Sequence, residues 1–410
     1  MWKKIAMVSG IILAGLTLWQ CSDNSGAPTS SPPAVQRELT PAEKSLVTAD
    51  NAFGLKLFRE ILRDQPDTNV FISPLSVAMA LGMTYNGADG TTREAMQQTL
   101  ELSGLTLEEI NQSYQSLIDL LTRLDPLVVF KIANSIWYRE GYSVKADFID
   151  RNETYFDAVV REMNFSSPDA LATINGWVQD NTNGKIEKIV EEFDPRLVMM
   201  LINAIYFKGT WTYQFEPKNT KDDVFHNTAS STVPCRMMEQ EGDLAIFRNG
   251  AFTAVDLPYG DELFSMTIIL PHQSTDLDSL LNEFTPENWA AWMGYFAVQE
   301  TPLFMPKFKT EYELKMNDVL IALGMGVAFG GGANFNNICE YCGLYIDEVR
   351  HKTFVEVDEA GTEAAAVTSV SIYESMPMPL RLDRPFIFVI REKASGTLLF
   401  LGRIVKPKTE

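Results

Sequence analysis

The chain has 410 residues, and 54 Asp and Glu outnumber 34 Lys and Arg, for a formal charge of −20. That balance argues against a nucleic-acid groove, because neutralising phosphates takes clustered cations. Apolar residues at 46% and charged residues at 21% are the composition of a globular protein with a sizeable core.

The chain opens on a processing signal. "MWKK" is a positive n-region, and residues 5–19 form an apolar stretch of signal-peptide length, too short for a comfortable membrane span. Cys21 follows at once, and the order resembles a bacterial lipoprotein signal in which Cys21 becomes the lipidated residue. Trp19-Gln20 departs from that pattern, where small residues usually precede the Cys. Residues 1–20 therefore read as a signal peptide, 21–42 as a Ser/Pro-rich flexible tether, and 43–410 as one domain. The expected location is outside the cytoplasm, either anchored to a membrane through the lipid alone or free in the extracellular space.

From Leu46 onward Ala49, Phe53, Leu57 and Ile61 fall at helical spacing. Ser73-Pro74 opens a short helix that Gly87 stops, and Thr91-Thr92-Arg93-Glu94 offers a capping box for the next one. Residues 106–122 and 168–183 are helical, the second around Trp177. Residues 128–138 and 198–211 read as strands, the first with apolar residues on both faces, which predicts a covered sheet. Beyond residue 230 short strands are separated by turn signals at Gly242, Gly250 and Gly260-Asp261. Two short helices over 276–293, a helix at 315–323 and a Gly-rich loop follow. Helices clustered early and strands late predict a single large α+β domain.

Chemistry of the enzymatic kind is missing from the pattern. There is no Gly-x-Ser-x-Gly and no His-Glu-x-x-His. The loop "GMGVAFGGG" has neither dinucleotide-fingerprint spacing nor a following Lys-Ser/Thr, so no cofactor is expected. Besides Cys21 the cysteines are Cys235, Cys339 and Cys342, an odd number that argues against a disulfide framework. With only His226, His272 and His351 to help, they make a poor zinc set, and no metal is expected. Cys339-x-x-Cys342 is left as free thiols or a small local bridge.

Four stretches, in order, resemble the serpins, the serine protease inhibitors. "NVFISPLSVAMALGMTYNGADGTTREAM" resembles the family's first helices, "NAIYFKGTWTYQF" its most recognisable strand and turn, "EVDEAGTEAAA" the hinge of its reactive loop, and "DRPFIFVIREKASGTLLFLGRI" its C-terminal strands. The resemblance covers the chain from about residue 43 and implies the serpin fold: a large mixed central sheet, smaller sheets, and an exposed reactive loop near the C-terminus. It implies a monomer, not an enzyme, whose partner is a serine protease trapped by suicide inhibition. After cleavage the loop inserts as an extra strand into the main sheet. Carried over by position, Glu359, Gly361, Thr362, Glu363, Ala364, Ala365 and Ala366 are the hinge. Ser73, Ser76, Asn203 and His351 match a polar cluster under the sheet centre, and Trp211 matches the aromatic where the loop first enters. Ala360 departs from the charged residue common beside Glu359.

The residues of the loop stand that test on their own. An inserted strand alternates faces with period two. Thr362, Ala364, Ala366, Thr368, Val370 and Ile372 form one face, small at its leading end and β-branched later. Proline would delete a ladder bond, and none occurs between Gly361 and Met376. Counting from Glu359 puts the scissile bond at Ser375–Met376, and counting back from Phe386 puts it at Glu374–Ser375. Ser375 in the primary position favours elastase-like or subtilisin-like targets, whereas Glu374 there favours a glutamate-specific one. The rival reading is a non-inhibitory serpin acting as a binding or chaperone-like module, which a bulky, charged or Pro-broken hinge would mark.

Overall fold

A computed structural model describes residues 36–228, 230–275, 277–362 and 379–408. Helix α1 (Pro41–Asp64) opens on a capping box in which Thr40 and Glu43 satisfy each other's backbone N–H groups. Its apolar stripe, Phe53, Leu57, Phe58 and Ile61, is fully buried. After β1 (Val70–Ile72), the Ser73 side chain caps α2 (Pro74–Tyr85), which is apolar on every side and runs through the centre of the molecule. Helices α3 (Gly90–Thr99) and α4 (Leu107–Arg123) follow. The capping box expected at residues 91–94 does not form. Helix α3 begins two residues earlier than a Thr91 cap would start it, after Asp89, and the Thr92 hydroxyl accepts a hydrogen bond from the Asn334 N–H.

The sheet that matters for function begins with β2 (Val128–Arg139), continues past α5 (Ala146–Phe156) to β3 (Ala158–Met163), and past α6 (Ala170–Asn181) to β4 (Met199–Thr210). Strand β2 pairs parallel with β3 and antiparallel with β4 along eleven residue pairs, Val128↔Gly209 to Tyr138↔Met199. The expected cover on both faces of β2 holds only for its second half. Val129 and Lys131 are exposed, whereas Trp137 packs with Ile202 against Ile174 and Val178 of α6. The first half lies beyond the helix, so period-two alternation returns there.

The second large sheet is built from β5 (Lys221–Thr228), β6 (Ser231–Arg248), β7 (Phe252–Tyr259), β8 (Phe264–Pro271), β9 (Ala297–Pro306), β13 (Leu380–Arg381), β14 (Phe386–Glu392) and β15 (Leu398–Ile404), with β1 at one edge. Strands β8, β14 and β15 are buried along their whole length, so they read as apolar runs without alternation. Gly242 is not a turn. It sits opposite Thr301 inside the 18-residue β6, whose long antiparallel partner β9 carries the chain straight through. Helices α7 (Leu277–Asn282) and α8 (Pro286–Met293) precede β9, and β10 (Phe308–Lys315) follows it. Strand β10 pairs with β11 (Arg350–Val357) after the short α9 (Asn317–Leu320), and β12 (Gly361–Thr362) comes last before residues 363–378.

Candidate functional site

Strands β2–β3–β4 and the pair β10–β11 form two pieces. Among the described residues no pairing joins β4 to β11. What lies between them at one end is β12. The backbone turns after β11, with the Asp358 N–H donating to the Gly361 carbonyl, and β12 runs back antiparallel to β4, Gly361 opposite Thr210 and Thr362 opposite Gly209. Gly361 and Thr362 therefore already occupy the position of a strand between β4 and β11.

Several contacts hold that turn. The Asp358 carboxylate accepts from the Ala360 and Gly361 N–H groups, an Asx-type turn. Gly361 has φ +145, and a Cβ built on it would lie 2.2 Å from the Gly209 carbonyl oxygen, so only glycine passes here. Glu359 receives Lys307 at 2.7 Å and the Thr220 hydroxyl at 2.7 Å. Burial opposes its ionisation, but those two donors outweigh burial and keep its pKa below the ordinary value. The Trp211 indole N–H donates to the Asp358 carbonyl at 3.0 Å, and its ring stacks on Tyr259 with centroids 4.3 Å apart. Thr362, 5% exposed, points inward and shares a 3.0 Å hydrogen bond with the Tyr259 hydroxyl.

Farther along, between the first half of β4 and the segment leading into β11, lies a groove of about 670 Å³. Ser76, Asn203 and His351 line it, but the four-residue network expected from sequence is divided between its two banks. On one, the Ser73 N–H donates to His351 Nε2 at 3.0 Å, and the Ser73 hydroxyl donates to the Leu399 carbonyl while accepting from the Ser76 N–H. On the other, Asn203 donates to Asn134 at 2.7 Å, and Asn134 in turn to the Phe156 carbonyl. The Asn203 Oδ1 has no hydrogen-bond partner among the described residues. Sequence reading overlooked Asn134, Tyr259, Thr220 and Lys307. Only the first carried a signal, an Asn beside Ser135 in a mostly apolar strand run. Cys21, Glu363, Ala364, Ala365, Ala366, Glu374, Ser375 and Met376 lie outside the described residues.

Burial holds the His351 imidazole neutral, its pKa pushed down to about 4. An unfolded His takes a proton near pH 6.5, so the folded state binds fewer protons between pH 6.5 and 4 and loses stability as pH falls through that window. Protonation also removes the acceptor that the Ser73 N–H uses. We expect wild type to lose about 2 kcal/mol more than His351→Gln between pH 7.5 and pH 5 in denaturant unfolding. Equal losses would mean His351 does not titrate as placed.

The profile of the family described as serpin (serine protease inhibitor) matches residues 48–407. Human neuroserpin is 32% identical over 369 residues, covering 87% of this chain and 90% of the relative. The native-state structure of the thermophilic serpin tengpin superposes with a TM-score of 0.80 at 31% identity, covering 92% of this chain and 97% of that one. Human thyroxine-binding globulin, solved with thyroxine, gives a TM-score of 0.82 at 26% identity over 90% of this chain and 100% of its own.

Proposed function

The chain belongs to the serpin family, and from that premise we propose that it traps a serine protease by suicide inhibition, its loop inserting between β4 and β11 after cleavage. Its class is protease inhibitor, not enzyme. One observation carries the mechanism: the hinge is already paired with the end of β4, in line with a groove between β4 and β11.

The register gives this reading residue-level content. Continuing Gly361↔Thr210 and Thr362↔Gly209 one residue at a time sets Thr368 opposite Asn203 and Ile372 opposite Met199, so the loop as far as Ile372 fills the 12 residues of β4. Thr362 faces inward, so Ala364, Ala366, Thr368, Val370 and Ile372 do too, and their lack of charge suits a buried face. Thr368 arrives between Asn203 and His351 and offers a hydroxyl to the unpartnered Asn203 Oδ1.

The attacking serine belongs to the protease. This chain supplies a substrate-like bond at Ser375–Met376 or Glu374–Ser375, and the free energy of insertion distorts the acyl-enzyme before water can release it. Residues 1–20 as an export leader, 21–42 as a tether and Cys21 as a lipidation site complete the proposal; the target is then an extracytoplasmic protease.

Two readouts from one incubation test it. Elastase-like and subtilisin-like enzymes should give a complex that survives SDS, and the released C-terminal fragment should begin at Met376. A fragment beginning at Ser375 moves the bond and favours a glutamate-specific target. Ser375→Arg should redirect inhibition to trypsin-like enzymes, whose pocket carries a carboxylate. If Glu374→Arg gives that switch instead, the earlier bond is correct. Cleavage by every protease without any complex would reduce the chain to a substrate.

A further inference from the structure

Cys339 and Cys342 are bonded to each other, and the bridge stands at one end of the groove wall. Upstream of it the chain is fixed. Ile338 packs where Gly87 lacks a side chain, a Cβ there falling 2.1 Å from Ile338 Cγ1, and the Ile338 carbonyl accepts from the Lys145 N–H. Downstream, the next anchors are the Ile346 N–H on the Ala328 carbonyl and the Val349 N–H on Asn317 Oδ1. Gly343, Leu344 and Tyr345 make no hydrogen bond among the described residues. This stretch lines the groove, where Leu344 and Ile346 share the lining with Val77 and Leu81 of α2 and Met199 and Leu201 of β4. Apolar walls on opposite sides of a groove gain free energy by closing on one another. The bridge ties Cys342 back to Cys339, whose N–H is held by the Phe335 carbonyl, and so shortens the free span of this wall.

We propose that the Cys339–Cys342 bridge is a redox-controlled prop that keeps this half of the groove open, and that a dithiol reductant releases it. The proposal rests on the insertion reading above, because the propped half is where Val370 and Ile372 of the loop would arrive. The chemistry balances within the dithiol. One reductant thiolate attacks the Cys342 sulfur, which is partly exposed beside Tyr341, itself 87% exposed. The S–S bond breaks, and Cys339 leaves with the electron pair and takes a proton. The second reductant thiol then displaces Cys342 as a thiol, so two electrons and two protons pass to the protein and the reductant ends as a disulfide. Cys339 is 4% exposed, and burial disfavours its departure as a thiolate, so a weak monothiol should open the bridge slowly. Once it is open, the wall moves toward β4, and an inserting strand must part the two again. Slower insertion gives the acyl-enzyme longer to hydrolyse.

Hydrogen exchange at Met199–Asn203 tests the prop without any protease, on the full chain oxidised, on the full chain reduced by a dithiol, and on the Cys339→Ser/Cys342→Ser double variant. Exchange there should slow by about threefold or more in the reduced chain and in the double variant, and the double variant should ignore the reductant. After the dithiol is removed, the reduced chain should consume several-fold more inhibitor per protease trapped. Unchanged or faster exchange on reduction overturns the prop while leaving trapping intact. If exchange slows but no SDS-resistant complex forms in either redox state, the prop stands and the trapping reading fails.

Discussion

Nicking the chain anywhere from Tyr373 to Met376 is expected to raise its thermal midpoint by about 20 °C. Insertion lays residues through Ile372 along β4 and supplies the strand missing between β4 and β11. Five inward side chains from Ala364 to Ile372 leave water, and ladder hydrogen bonds form on both sides. Burial at roughly 1–3 kcal/mol for each larger side chain and ladder bonds at about 1 kcal/mol each sum to the order of 10 kcal/mol. The β12 pairing means that only the remainder of the strand has to enter, which keeps the intact chain poised rather than distant from the inserted state. Calorimetry on intact and nicked protein reads this directly, and equal midpoints would remove insertion from the account.

Hinge substitutions should abolish trapping while leaving cleavage intact. Thr362 is buried against Tyr259, so Thr362→Arg places a guanidinium where burial of an unpaired charge costs several kcal/mol, on the order of 3–5. Gly361→Val fails for a different reason, since its Cβ meets the Gly209 carbonyl within 2.2 Å. Ala366→Pro leaves the described hinge alone and deletes a ladder bond farther along. Each variant should be cut at the wild-type bond at a similar rate but yield at most a tenth of the SDS-resistant complex, about 1.4 kcal/mol or more against insertion relative to hydrolysis. Full complex formation by Ala366→Pro would show that the inserted strand does not extend past residue 365.

The order of helices and strands was legible because their periods were clean, as with Phe53, Leu57 and Ile61 on α1. Local signals misled where a distant partner overrode them. Gly242 reads as a turn until β9 is known to pair through it, and Thr91 reads as a cap, whereas the helix starts two residues earlier, after Asp89. The chain entering the C-terminal strand motif is two pieces. Arg381 belongs with β9 and Phe386 onward with β8, with Pro385 at the break. At the site, Trp211, Glu359, Gly361 and Thr362 lie together around the turn after β11. The division of the Ser73–His351 and Asn203–Asn134 groups was not legible, because it depends on which strands remain apart, and that lies in the tertiary arrangement rather than in any local pattern.

Insertion in a defined register is tested most directly by a crystal structure of the chain cleaved in its loop. The account predicts a continuous sheet in which Gly361 to Ile372 run antiparallel to β4, Thr368 sits between Asn203 and His351, and Glu363 faces outward beside Lys208. A cleaved chain in which β4 and β11 pair with each other, or in which Thr368 lies away from Asn203, would contradict it.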